Sequence, residues 1–310
     1  MSSLHSQNPH HLNLPERGEA RILIVAHYHR DGKLRSDTAK LLEDAPAFFE
    51  RVILVSTHLS LEAQAAIPSG VEVIVRPNEG YDFYSYRAAL LRLWGLDGDE
   101  LPAHHYDSIT LMNTSILIVN PDQLWSTYFA RWDAVNAGGA AGMAQAFGLT
   151  LSDNNYLHLQ SYLLSFTKDI ADKEVFRKWW QEMTPINTRA EVITQFEFGL
   201  SKLLQSLGVV LYAAFDASWW QKNNQGIRQL KKMVLEGLQG KKQTSEKTLL
   251  DIEARKNPTH GQAQQIFEEF GVLKVEIVQL NPLGLALNWL ECAKISKPRL
   301  AELTQEALHN

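Results

Sequence analysis

Val71-Glu72-Val73-Ile74-Val75 runs directly into Arg76-Pro77-Asn78-Glu79-Gly80-Tyr81-Asp82-Phe83-Tyr84-Ser85-Tyr86, and the junction reads as an apolar strand emptying into a helix over residues 85–94. Ligands of α/β sheets bind where strands exit, and this exit is crowded with suitable groups. Gly80 lets the backbone approach a ligand, Asn78 and Asp82 offer partners for hydroxyls, Arg76 has a fork for phosphate, and the tyrosines present ring faces for a base or sugar. The inventory suits a nucleotide sugar. Each residue also has an ordinary reading: Gly80 as a turn cap, Asp82 as a helix cap, Tyr84 and Tyr86 as core.

Outward from this junction, short apolar runs alternate with helical patterns. Strands are predicted at Ile22 to Ala26, Val52 to Ser56, Val71 to Val75 and Ser108 to Met112, with helices at Thr38 to Glu50, Leu61 to Ala66 and Ser85 to Trp94 between them. Such alternation predicts a doubly wound, Rossmann-type, mainly parallel sheet flanked by helices. Asn120-Pro121-Asp122 then opens a helix to Trp132, with Asn120 as cap and Pro121 in the first turn. The nucleotide half is expected to end near Val119. The small-residue stretch Ala137 to Ala146 reads as a tight turn or a cavity wall. Helices follow at Lys173 to Met183 and Arg189 to Leu207, and a strand at Val209 to Ala213.

Beyond Ser218 the chain becomes polar and mostly helical, which divides it into a loose tail over 1–19, an α/β domain over 20–217 and a C-terminal helical appendage over 218–310. Residues 221–260 hold nine Lys and Arg against four Asp and Glu. Ile227, Leu230, Val234 and Leu238 share a helical face there with Arg228, Lys231 and Lys232 beside them. That helix suits either an anionic membrane surface or ordinary packing.

Composition narrows the function classes. With 310 residues and 45% hydrophobic content the chain can bury a substantial core, and a formal charge of −5 argues against a nucleic-acid binder. The single cysteine, Cys292, excludes an internal disulfide and a Cys-rich zinc site. No window reaches the apolar length of a membrane span, and residues 1–19 lack the apolar run of a secretory signal, so a cytoplasmic location is expected. The first strand is followed by His27-Tyr28-His29-Arg30-Asp31-Gly32, which is neither a dinucleotide fingerprint nor a Walker loop. His27 at this exit suits a base, ribose or phosphate; with His29 it lacks a third metal ligand. No nucleophile elbow points to a hydrolase.

Arg76-x-Asn78-x-Gly80-Tyr81-Asp82-Phe83-x-Ser85-Tyr86 resembles the signature of the rhamnan synthesis protein F family, glycosyltransferase-like proteins of bacterial surface polysaccharide assembly. Other stretches are similar to that family in the expected order: Val25 to Tyr28 with Asp31-Gly32, Tyr106-Asp107 through Leu111-Met112 into Asn113-Thr114-Ser115, Gly148-Leu149-Thr150, His158 to Tyr162, Glu197 to Ser201, Asn257 to His260, and Leu273 to Glu276 with Asn281-Pro282. The resemblance covers roughly residues 21 to 285.

It implies a GT-A-like fold, a nucleotide-diphosphate sugar as donor, and a glycan acceptor on a lipid carrier, with peripheral contact at the inner face of the membrane. On this reading His27, Arg76, Asn78, Gly80, Tyr81, Asp82, Asn113 and Ser115 bind the donor, plausible sugars including rhamnose on deoxythymidine diphosphate. Thr150, His158, Gln160 and Ser161 face the acceptor; the pattern from His158 to Phe166 fits strand or helix, and the resemblance favours one acceptor-side strand. GT-A enzymes often hold Mg²⁺ or Mn²⁺ on an Asp-x-Asp after a central strand; here that place reads Asn113-Thr114-Ser115, with Thr114 where the family has its Asp. Asp97-Gly98-Asp99 precedes the strand and reads as a solvated turn. Without a metal, positive charge must come from Arg76, Arg87, Lys274 or a helix N-terminus.

Inverting transfer also needs a base for the acceptor hydroxyl. Glu197, a carboxylate in an otherwise apolar helix, is the first candidate, and Asp153, in a loop after Thr150, the second. Trp179, Trp180, Trp219 and Trp220 have faces for sugar stacking but read better as core. Two functions follow: a glycosyltransferase, or a non-catalytic glycan-binding or assembly protein that retains a degenerate transferase fold.

Overall fold

The computed structural model describes residues 20–98, 106–138, 145–186, 188–216, 257–281, 287 and 297–308. The tail, the stretch around residues 227–238 where a basic helix was expected, Asp99, Trp219, Trp220 and Cys292 lie outside the described residues. So does most of the 137–146 stretch.

The junction at residues 71–86 folds as its pattern demands. β1 (Arg21–His27), β2 (Arg51–Ser56), β3 (Val71–Val75) and β4 (Ser108–Asn113) lie side by side in the order 3-2-1-4, all parallel. α1 (Ser36–Asp44), α2 (Leu61–Ala66) and α3 (Tyr81–Leu93) are the crossovers. β1 and β4 are buried along their whole lengths because helices cover both sheet faces. Alternation along β1 sorts its side chains: Ile22, Ile24 and Ala26 pack with Phe83, Tyr86 and Leu90 of α3, while Leu23 and Val25 pack on the opposite face with Leu41 and Leu42 of α1. The second face is completed by Leu124, Trp125 and Tyr128 of α4 (Pro121–Gly138).

The sheet continues past β4 with a change of direction. β5 (Ile116–Ile118) leaves the main sheet, and β6 (Ala146–Ser152), β7 (His158–Leu159), β8 (Leu163–Thr167) and β9 (Leu211–Asp216) complete eight strands. β8 is antiparallel to β4 and β6, and β9 is parallel to β6. Four of the seven pairings are therefore parallel, and the sheet is mixed but mostly parallel.

Between β8 and β9 run α5 (Lys168–Ala171), α6 (Glu174–Gln181), α7 (Arg189–Glu191), a π-helical turn over Val192–Glu197, and α8 (Phe198–Ser206). The expected strand over His158 to Phe166 is two strands, β7 and β8, separated by a turn at Gln160–Tyr162. The helix expected from Ser85 begins one turn earlier, at Tyr81. Gly148-Leu149-Thr150 lies inside β6.

The described residues beyond 218 pack against this sheet: α9 (Pro258–Gly261), α10 (Ala263–Phe270), β10 (Val272–Lys274), α11 (Val275–Gln279) and α12 (Lys297–Leu308). β10 pairs antiparallel with β5, with Lys274 opposite Ile116. A third apolar cluster, including Leu117, Phe267, Leu273, Ile277 and Leu303, fastens the two strands to α10, α11 and α12. Among the described residues no helix is long and apolar enough to cross a membrane.

Candidate functional site

A cleft of about 610 Å³ opens where β1, β3, β4 and β6 end, the position at which doubly wound sheets place their ligands. It receives Tyr81, Asp82, Asn113, Ser115, His158, Gln160, Ser161 and Glu197 from the sequence-derived set.

One chain of hydrogen bonds organises its donor-side wall. The backbone N–H of Ser115 donates to Asn113 Oδ1 at 3.0 Å, which fixes the amide so that Nδ2 faces Asp82 and donates to Oδ2 at 2.6 Å. Ser115 Oγ also donates to Asn113 Oδ1, and it accepts from Lys274 Nζ at 2.6 Å. Lys274 is thus linked through Ser115 and Asn113 to Asp82. Its ammonium also stands over the Tyr162 ring, 4.4 Å from the centroid. Burial brings Lys274 down to about 8 although Asp82, Glu197 and Glu276 pull the other way. Burial raises Asp82, against the charges of Lys274 and Arg76 and the Asn113 hydrogen bond.

The turn after β4 that carries Asn113 and Ser115 is held from behind by a buried ion pair that the sequence reading did not single out. Arg35 Nε donates to Asp37 Oδ1 at 2.9 Å, and its terminal nitrogens donate to the Thr114 and Ile116 carbonyls at 2.8 and 2.7 Å. Asp37 Oδ2 accepts the Ile118 N–H at 2.8 Å. Removing either partner would strand a buried charge. Thr114 does not line the cleft; its Oγ1 faces the Tyr28 backbone N–H. Among the described residues, no three His, Cys, Asp or Glu side chains are grouped to hold a metal ion.

On the opposite wall Glu197 closes the π-helical turn, a distortion that recurs at functional sites. Its Oε2 accepts from the Ser161 N–H at 2.8 Å and from Ser161 Oγ at 2.6 Å, and Oε1 lies 3.3 Å from His158 Nε2. His158 Nδ1 lies 2.6 Å from the Tyr156 carbonyl oxygen, so both ring nitrogens face acceptors. Burial alone would push Glu197 up, but His158 and the two Ser161 donors bring it below the ordinary carboxylate value. Glu276 sits beside His260 and 3.5 Å from Arg189; the His260 ring is the main cause, acting against burial, that holds its carboxyl down at about 2.

Several sequence-derived residues do not line the cleft. Arg76 is a strut for its own loop: Nε donates to Ser85 Oγ at 2.9 Å, and the terminal nitrogens donate to the carbonyls of Pro77, Glu79 and Tyr81. Asn78 is exposed on that loop. Gly80 has φ +64°, and a Cβ there would stand 2.2 Å from the Tyr84 ring, so its glycine is required by the turn. His27 is buried between Ser56 Oγ, 2.9 Å away, and the Lys33 carbonyl, 3.0 Å away, and burial lowers it to about 4. It is a neutral structural histidine. Thr150 is fully buried and donates to Tyr162 Oη at 2.8 Å. Asp153 is exposed outside the cleft although its neighbours Ser152 and Asn154 line it. Arg87 donates to the Trp180 and Gln181 carbonyls at 2.9 and 3.0 Å, and Trp180 is core, stacked on Phe83.

Residues that sequence reasoning left without a role also line the cleft, among them Tyr28, Tyr162, Arg189, Thr259, His260 and Glu276. The available signal was the family-like strings, which include all of these residues except Arg189.

The family model of rhamnan synthesis protein F matches residues 52–229, which run from β2 through β9 and include Asp82, Asn113, His158 and Glu197 of the cleft. The chain belongs to the rhamnan synthesis protein F family. Membership ties it to the building of a polysaccharide. No curated protein matches the chain. Among solved structures, the bifunctional IspDF from Campylobacter jejuni is similar at 10% identity and a TM-score of 0.33 over 62% of this chain. The match covers 48% of that protein, about half its length.

Proposed function

We propose that this family member is a glycosyltransferase that moves a deoxyhexosyl group, rhamnosyl in the first instance, from a nucleotide-diphosphate sugar to a growing surface glycan on the cytoplasmic side of the membrane. The observation that carries this reading is the cleft itself. It joins Tyr81, Asp82, Asn113 and Ser115, from the strings that resemble the family's donor elements, to His158, Gln160, Ser161 and Glu197. The 3-2-1-4 parallel strands followed by an antiparallel strand support a GT-A-like use of the sheet.

In the reaction the acceptor oxygen bonds to the anomeric carbon as the bond from that carbon to the diphosphate oxygen breaks, its electron pair leaving with the diphosphate. The acceptor proton passes to a cleft carboxylate. Asp82 fits that role better than Glu197. Burial raises its basicity, and Asn113 engages one of its oxygens, whereas Glu197 receives both Ser161 donors and contacts His158. Glu197 then serves to fix His158 and Ser161 against the acceptor. The filled state of Glu197 favours the second reading, glycan binding without turnover.

Transfer from deoxythymidine diphosphate rhamnose to octyl rhamnoside tests the choice. Asp82→Asn should lower the rate by roughly 10²- to 10⁴-fold while deoxythymidine diphosphate still binds. Because Asp82 must be ionised, the acid limb of the wild-type rate should lie above the ordinary carboxylate range. Nucleotide or glycan binding with no sugar transfer would establish the second reading.

A further inference from the structure

Transfer from a nucleotide-diphosphate sugar needs positive charge where the leaving diphosphate accumulates electrons, and the structure narrows where that charge resides. Of the three cations the sequence offered, Arg76 is bound to the carbonyls of its own loop and Arg87 to those of α6. Lys274 alone of the three lines the cleft. Its ammonium has three donors, one of which is directed to Ser115 Oγ. The residues beside it, Ser115 and Asn113, stand where metal-using relatives of this fold class would carry carboxylates.

We propose that Lys274 is the built-in cation of a metal-independent diphosphate subsite, formed with Ser115 and the start of α3. This deepens the transferase reading and rests on it for the identity of the ligand. Three carboxylates face the ammonium: Asp82 from α3, Glu197 from the π-helical turn and Glu276 from α11. Glu197 has His158 beside it and Glu276 has Arg189 and His260, which leaves Asp82 as the counter-charge of Lys274, reached through the Ser115–Asn113 bridge. The start of α3 adds the partial positive charge of a helix N-terminus that has no side-chain cap.

Binding of a diphosphate in this arrangement takes up a proton. In the free protein Lys274 is partly deprotonated near pH 8. A bound anion favours its protonated form. Affinity therefore declines as pH rises through 8, and binding heat depends on the ionisation enthalpy of the buffer.

Titration calorimetry of the whole chain with deoxythymidine diphosphate and with inorganic pyrophosphate, in a chelator and across pH 7 to 9.5, tests the inference. The expected result is binding without divalent metal, net proton uptake, and affinity that falls with pH. Lys274→Met should weaken binding by roughly ten- to a hundredfold, the loss of one charge-assisted hydrogen bond, and should remove the pH dependence. Lys274→Gln, which keeps a donor but no charge, should also lose the proton uptake; melting curves of both variants establish that they fold. Affinity of Lys274→Met within twofold of wild type, or wild-type binding that requires Mg²⁺ or Mn²⁺, overturns the proposal. Metal-free binding through Lys274 without transfer of sugar sustains this subsite and overturns the transferase reading. Transfer that is indifferent to Lys274 does the reverse.

Discussion

The loop after β3 and the short strand β10 both border the cleft, yet chemical density in sequence and contact with the cleft run in opposite directions between them. Residues 76–86 concentrate an arginine, an asparagine, an aspartate, a glycine and three tyrosines, but only Tyr81 and Asp82 reach the lining; Arg76 holds the loop and Tyr84 and Tyr86 enter the core. Residues 272–276 show little beyond an apolar run, and they supply Lys274 and Glu276. A motif rich in functional groups can be rich because its own fold needs them. A self-bonded arginine and a ligand-binding arginine look alike in sequence, since both meet oxygen acceptors.

The comparison can be broken from either side. The largest effect on stability is expected at Gly80. Alanine there would adopt a left-handed conformation and drive its Cβ into the Tyr84 ring, lowering unfolding free energy by about 3 kcal/mol in urea titrations. Adding Tyr84→Ala should not restore the conformational part. A Gly80→Ala protein as stable as wild type would mean the loop is not built as described. Next comes Arg76→Ala, expected to cost about 1–2 kcal/mol of stability by releasing the Pro77, Glu79 and Tyr81 carbonyls. Its effect on deoxythymidine diphosphate affinity should stay below that of Lys274→Met; the opposite ranking would return Arg76 to the donor site.

The smallest effect concerns pH. The folded pKa of Lys274, about 8, lies below its unfolded value, so between pH 8 and about 10.4 the unfolded chain holds a proton that the folded chain has released. Stability from this group therefore rises with pH across that window, while below pH 8 the buried charge is a constant cost. Discounted for the opening to solvent, the change is about 1 kcal/mol. It should appear as a narrowing stability difference between Lys274→Met and wild type from pH 7.5 to 10, and an unchanged difference would place Lys274 in ordinary solvent.

The parallel half of the sheet was legible because β1 and β2 are apolar on both faces, and its strands are punctuated by helices of readable period. β6 was not, because Gly148, Thr150 and Ser152 interrupt its apolar run. Gly148 is small for a reason invisible in sequence: a Cβ there would meet Leu159 of β7 at 2.9 Å. The turn at Gln160–Tyr162 was missed because the resemblance pointed to one strand over His158 to Phe166 and no Gly, Pro, Asn or Asp marks the break. In the site, Asn113, Ser115, His158 and Glu197 were legible through family-like strings. The Arg35–Asp37 pair was not, because its meaning lies in the Thr114, Ile116 and Ile118 backbone groups it holds some 80 residues away.

β10 is only three residues long and meets β5 in a single register that sets Lys274 against Ile116. A slip of one residue would turn the ammonium to the other face. Because chains emerge N-terminus first, at about 5–20 residues per second, the walls bearing Asp82, Asn113 and Glu197 are synthesised before the lysine between them. A nascent chain halted short of β10 would carry a shaped cleft that still lacks Lys274, and the cation proposed to grip a diphosphate would arrive only when β10 joins β5.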